Sequence, residues 1–269
     1  MRKITINLAA VAAFCIVVAS PALVSSSCAT PKTEQEDTTI IREDSGITAL
    51  KYSSPEVPAS IEFCGKTIDL SRFDRHERMD RELLAFTYMH STSLQMLKKA
   101  NRYFPIVEPI LKENGIPDDF KYLMVIESNM NPTARSSAGA AGLWQFMQGT
   151  GRDYGLEVNN NVDERYHIEK ATRAACRYLK DAYAKYKDWV AAAASYNAGQ
   201  ARIASQLAKQ DVDDSLDLQL VEETARYVYR ILAAKQLFNA PTTFGFRLRA
   251  SDLYPPIPYT EITVTKGIA

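Results

Sequence analysis

Between Asp74 and Phe238 the apolar residues recur at helical spacing, in stretches punctuated by proline and glycine, and this period constrains the fold more than any other feature of the chain. Met79, Leu83, Leu84, Phe86 and Met89 follow it, as do Leu94, Leu97, Ile106 and Ile110, with Pro105 and Pro109 expected to kink or divide the second stretch. Gly115-Ile116-Pro117 stops that helix, and Asp118 is expected to cap a new one running from Phe120 to about Ser128, which Asn131-Pro132 ends. Four more helices are read at about 142 to 148, 165 to 186, 188 to 208 and 220 to 238, the third broken near Asn197-Ala198-Gly199. Dense alanine from Ala191 to Ala194 suits close helix packing, and Arg173, Arg177, Lys180 and Lys187 supply a solvated face. Ahead of the helices, Ile61-Glu62-Phe63 and Thr67-Ile68-Asp69-Leu70 alternate around Cys64-Gly65-Lys66, the pattern of a short hairpin. Pro255, Pro256 and Pro258 prevent helix in the tail, where Thr260 to Thr265 reads as a last strand pairing with the hairpin. With no internal repeat of ~20 to 50 residues, the expected fold class is mainly α, one domain from 58 to 269 with a small β element formed by the segment near 61–70 and the C-terminal tail.

The start of the chain has another character. Arg2 and Lys3 precede an apolar run from Leu8 to Ala19, and Pro21 with Ser25, Ser26 and Ser27 leads to Cys28, the plan of a secretory signal peptide over residues 1–27. That run is shorter than the ~20 residues that span a bilayer as a helix. Cys28 has two expected fates, lipidation as in a bacterial lipoprotein or a position near an unmodified new terminus, with the lipid slightly favoured. Lipid signals usually carry Leu three residues before the Cys, where Ser25 stands here. A polar linker, 28–57, follows. Removing residues 1–27 leaves 30 basic against 32 acidic residues, so the exported chain carries a net charge of −2. An exported compartment permits a Cys64 to Cys176 disulfide, although two unpaired core thiols are the favoured reading.

Composition excludes some functions. The full chain has 32 Lys+Arg and 32 Asp+Glu, without a basic block, so it lacks the electrostatic footprint of a nucleic-acid partner. Three His and four Cys occur without CxxC, HxxxH or HExxH spacing, which argues against a zinc site and against any metal. Five of the 11 glycines, Gly139, Gly142, Gly149, Gly151 and Gly155, crowd into one short segment that contains no phosphate-binding GxxxxGK[ST] or GxGxxG pattern.

The acid next to that segment carries the chemistry. Glu127 sits in Leu123-Met124-Val125-Ile126-Glu127-Ser128, within an apolar stretch at the carboxyl end of its helix. Desolvation and the helix dipole both oppose its ionisation, so a carboxyl there can stay protonated near neutral pH and serve as a general acid. A surface Glu at a helix end is the plainer alternative. Leu143-Trp144-Gln145-Phe146-Met147 offers aromatic faces with an amide beside them, which suits sugar rings.

Glu127-Ser128, Asn131-Pro132, Ser136, Gly139-Ala140-Ala141-Gly142-Leu143-Trp144-Gln145, Ser195-Tyr196-Asn197-Ala198-Gly199 and Glu223-Thr224-Ala225-Arg226-Tyr227 together resemble, in order, the motifs of the soluble-type lytic transglycosylase (goose-lysozyme-like) domain. Leu143-Trp144-Gln145, the run from Thr150 to Leu156 and the stretch from Pro58 through Glu127 are similar to the membrane-bound lytic murein transglycosylase D branch. The sequence departs from the wider family in having Trp144 where many members have Met and Ser195 where many have Ala, and from its branch in lacking LysM wall-binding repeats.

The resemblance implies a lysozyme-like helical domain, an exported protein of the periplasm or the periplasmic face of the outer membrane, and peptidoglycan glycan strands as partner. It implies no cofactor, and a monomer is expected. It makes Glu127 the single acid/base that cleaves the MurNAc-GlcNAc bond without water, giving 1,6-anhydromuramyl ends. Ser136 and Gln145 match residues that contact substrate N-acetyl or hydroxyl groups, and Tyr196 with Asn197 matches the pair beside the catalytic carboxyl. Glu223 and Tyr227 help form the cleft and position groups near Glu127. Trp144 and Met147 are read equally as sugar platform or core; Asp153, Tyr154 and Asp163 are read as structural. A hydrolytic muramidase on the same fold and a non-catalytic wall-binding protein are the rival readings, and product analysis and the Glu127→Gln variant separate them.

Overall fold

The computed structural model describes residues 53–258. The export segment, Cys28, most of the linker and the strand expected at Thr260 to Thr265 lie outside the described residues. Within them the protein is mainly helical, with one two-stranded antiparallel sheet. Strands β1 (Ser60–Phe63) and β2 (Lys66–Asp69) pair from Ser60 with Asp69 to Phe63 with Lys66. Two residues join them, and both have positive φ, Cys64 at 53° and Gly65 at 81°, the twist that a tight hairpin needs. The alternation buries Ile61, Phe63 and Ile68, and Leu70 follows them inward.

Helix α1 (Phe73–Tyr88) and helix α2 (His90–Glu113) are separated by Met89 alone. Pro105 and Pro109 lie inside α2 and do not divide it, so of the two expected outcomes division does not occur. They are four residues apart on the exposed face, so the carbonyls of Asn101 and Pro105, which lose their amide donors, are turned toward water. Helix α3 (Phe120–Ser128) starts where expected, but Asp118 caps nothing and instead accepts from Lys121 at 2.6 Å. Its neighbour Asp119 ties the helix start to the hairpin by accepting the Cys64 amide at 2.7 Å and pairing with Lys235 at 2.7 Å. Left-handed Asn129 and Met130, at φ 48° and 58°, end α3 before Pro132 is reached.

No helix forms at 142 to 147. The chain there makes turns and isolated bridges, Arg135 with Ala141 and Ala141 with Phe146, and a short helix α4 (Gln148–Asp153) begins only afterwards. Gly142 at φ 78° and Gln145 at φ 48° are incompatible with a helix. Helices α5 (Ile168–Tyr186), α6 (Trp189–Ala198), α7 (Gln200–Lys209) and α8 (Glu222–Asn239) then follow the sequence reading, with the break between α6 and α7 at Gly199. Helix α6 is the centre of the domain. Ala191, Ala192 and Ala193 are fully buried, and α5, α7 and α8 pack around it, an approach that small side chains permit. Arg173, Arg177, Lys180 and Lys187 are exposed, as expected. Cys64 and Cys176 are free thiols. No helix among the described residues is long and apolar enough to cross a membrane.

Candidate active site

Glu127 is the next-to-last residue of α3. The apolar residues that precede it, Leu123 to Ile126, are all buried, so its carboxyl is carried to the edge of the core and left half-buried. Desolvation is the main influence on it and pushes its pKa from the ordinary carboxylate range to about 7. Three groups modulate that effect. The Tyr227 hydroxyl donates to Oε1 and the Arg230 guanidinium lowers the pKa, while the charge of Glu223 raises it. All three stand on α8, one or two turns apart, so one helix face sets the proton affinity of the acid.

Tyr227 is buried, and burial beside the Glu127 charge holds its own pKa well above the ordinary tyrosine value. It is therefore a hydrogen-bond donor at neutral pH. Tyr196, on α6, is held up by the same two causes. Its hydroxyl donates to the Trp144 carbonyl at 2.9 Å, and its ring packs on Phe146 and Tyr178 with centroids 5.8 and 5.0 Å away. Next to it, Asn197 donates to Glu223 Oε1 at 3.2 Å and accepts from Thr224 at 2.8 Å. Glu127, Tyr196, Asn197, Glu223 and Tyr227, widely separated in sequence, are thus linked through α3, α6 and α8.

The glycine-rich loop is held together from within. Ser136 Oγ accepts the Ala140 amide at 3.0 Å, and Gln145 Nε2 donates to the carbonyls of Gly142 and Ala134 at 2.7 and 3.2 Å. Both side chains are half-buried, and these bonds give them a part in shaping the loop. Trp144 is not a sugar platform. It is fully buried against α5 and donates Nε1 to Thr172 Oγ1 at 2.9 Å. Met147 is 45% exposed and stays available to a ligand. Asp163 is structural: it accepts from buried Arg165, which in turn donates to the carbonyls of Gly139 and Phe146 at 2.8 and 3.0 Å and so staples the loop. Arg165 escaped the sequence reading, for an Arg just ahead of a helix carries no signal that its charge is turned inward. Among the described residues no cluster of His, Cys, Asp or Glu is arranged to hold a metal ion.

The chain is similar in sequence to known proteins. The transglycosylase SLT domain family model matches residues 105–217, which include Glu127, Ser136, Gln145, Tyr196 and Asn197 and stop short of Glu223 and Tyr227. The chain is 30% identical over 207 residues to the membrane-bound lytic murein transglycosylase D of Escherichia coli K12, a match covering 72% of this chain and 45% of that protein. It thus spans about half the length of this relative. It is 31% identical over 138 residues to a peptidoglycan transglycosylase of Escherichia phage T7, covering 49% of this chain and 10% of the phage protein. Among solved structures, the soluble lytic transglycosylase of Escherichia coli superposes with a TM-score of 0.45 at 21% identity, covering 58% of this chain and 27% of that one. Residues 105–217 of this chain are thus similar to the transglycosylase SLT domain family, with Glu127 near the start of the matched stretch.

Proposed function

We propose that the protein is a peptidoglycan lytic transglycosylase that cleaves the β-1,4 bond between N-acetylmuramic acid and N-acetylglucosamine, with Glu127 acting first as acid and then as base. The observation that carries this reading is the carboxyl of Glu127, protonated up to about pH 7 by burial and touched by a tyrosine that remains a donor. In the first step the Glu127 proton passes to the glycosidic oxygen as the bond from that oxygen to muramyl C1 breaks. The carboxylate left behind is stabilised by the Tyr227 hydroxyl. It then takes the proton of the muramyl 6-hydroxyl as that oxygen closes on C1, which gives a 1,6-anhydro end and returns Glu127 to its starting state. No water is consumed. One carboxyl suffices, whereas hydrolysis of the usual kind uses a second as nucleophile or base. Glu223 is engaged by Asn197 and serves here to hold the α6–α8 wall of the cleft. Ser136, Gln145, Met147, Tyr196 and Asn197 line the path of the strand in this reading, and Trp144 supports it from the core.

The test is digestion of purified sacculi by the wild type and by Glu127→Gln, followed by separation of released muropeptides. The variant should lose ~10² to 10⁴ in rate; full retention of activity would place the acid elsewhere, and no release by the wild type would leave a wall-binding protein. Residues 1–27 and Cys28 fit export and lipid attachment to a membrane facing the wall, and the relative in Escherichia coli is named membrane-bound. Mass spectrometry of the mature N-terminus decides between a lipidated Cys28 and an unmodified residue.

A further inference from the structure

A groove of about 270 Å³ runs between α1 and α8 beside the end of α3, and Asn129, two residues beyond Glu127, lines it. Its two walls differ. On the α1 side Ala85, Phe86 and Met89 bring apolar surface beside the buried Glu82 carboxylate, Met89 being 46% exposed, whereas Glu223, Arg226 and Arg230 line the α8 side. The two arginines are not equivalent. Arg226 is neutralised by Glu82, a buried carboxylate that accepts from Nε at 2.6 Å and from Nη2 at 3.1 Å. Arg230 makes no ion pair among the described residues. Of its five N–H groups, one has a protein acceptor among the described residues, the carbonyl of Ile126, at 3.3 Å. That single bond holds the guanidinium against the residue preceding Glu127 and leaves its other donors to the groove.

A guanidinium fixed at one corner, half-buried, acting on Glu127 only through its charge and making no ion pair among the described residues is built to take a carboxylate from a ligand, since bidentate pairing satisfies two N–H groups at once. Glu223 limits the site to a single anion, because a second negative group would meet its charge. We propose that this groove binds the peptide stem carried on the muramyl sugar, with Arg230 pairing a stem carboxylate and Phe86 and Met89 covering the small apolar side chain beside it. The inference rests on the transglycosylase reading and adds to it a preference for stems with a free carboxylate.

The test compares glycan strands carrying peptide stems with the same strands after carbodiimide and ammonia have converted the stem carboxylates to amides. The readout is the ratio of kcat/KM on the two substrates, in which any effect of Arg230 on Glu127 itself cancels. The wild type should favour the free carboxylate by about tenfold, the worth of one charge-assisted pair. Arg230→Gln should bring the ratio close to one, and Arg230→Lys should retain part of it. Equal cleavage of both strands by the wild type, or an undiminished ratio in Arg230→Gln, would overturn the stem site while leaving the transglycosylase reading intact. Cleavage of neither strand by the wild type would instead overturn that reading and the stem site with it.

Discussion

At the scale of single residues the protein turns on one proton. Burial raises Glu127 to about 7, while the Tyr227 hydroxyl and the Arg230 charge pull it down and Glu223 pushes it up. An acid must be protonated to begin the reaction, so kcat/KM should fall as pH rises through about 7. The Tyr227 bond favours the carboxylate, so Tyr227→Phe should move this alkaline limb to higher pH while lowering kcat by ~10-fold or more, since a donor to the developing charge is lost. A pH-rate profile checks both effects; a limb that stays in place or moves down would show that Tyr227 does not act on Glu127. Glu127 was legible in the sequence because an acid directly after the apolar run Leu123 to Ile126 has no apolar reason to be there. Tyr227 was placed near Glu127 by the family resemblance alone, for the two are separated by 100 residues and a tyrosine in helical period by itself reads as core. Trp144 illustrates the converse difficulty, for nothing in the sequence says that Thr172 waits to receive its Nε1 and hold it inside.

At the scale of elements, the loop between α3 and α4 is where the expected helix gave way. Residues 142 to 148 have acceptable helix formers, but positive φ at Gly142 and Gln145 and the approach of Arg165 impose turns. A Cβ on Gly142 would lie 2.0 Å from the Arg165 carbonyl oxygen, whereas one on Gly139, at φ 90°, would meet nothing within 4 Å. Gly142→Ala should therefore cost about 3 kcal/mol or more, through both the clash and the backbone strain, and Gly139→Ala only about 1 kcal/mol from strain alone. Urea unfolding of the two variants tests the order; equal losses would mean that the close approach does not shape the loop. The long helices α5 to α8 were readable because their period persists over many residues and glycine marks the break at 199. Division of α2, one of its two expected outcomes, failed for a reason that sequence alone does not display, namely that both prolines face solvent.

At the scale of the whole molecule, the first and last long helices are joined through charge. Glu82 of α1 is nearly inaccessible and pairs with Arg226 of α8, the residue next to Tyr227, so this pair fixes the helix that delivers the tyrosine. Arg226→Met alone should destabilise the protein by about 3 kcal/mol, because it strands a buried carboxylate, whereas the double change Glu82→Leu with Arg226→Met should recover most of that loss. Denaturant titration of the two proteins checks this; a double variant no more stable than the single one would contradict it. The partnership of helices so distant in the chain is set by packing and has no local sequence signature. What the assembled domain does to its polymer is tested most directly by digesting sacculi in water enriched in heavy oxygen and analysing the new muramyl ends by mass spectrometry. The account predicts 1,6-anhydro ends that carry no label and vanish with Glu127→Gln; reducing ends that incorporate the heavy oxygen would contradict it.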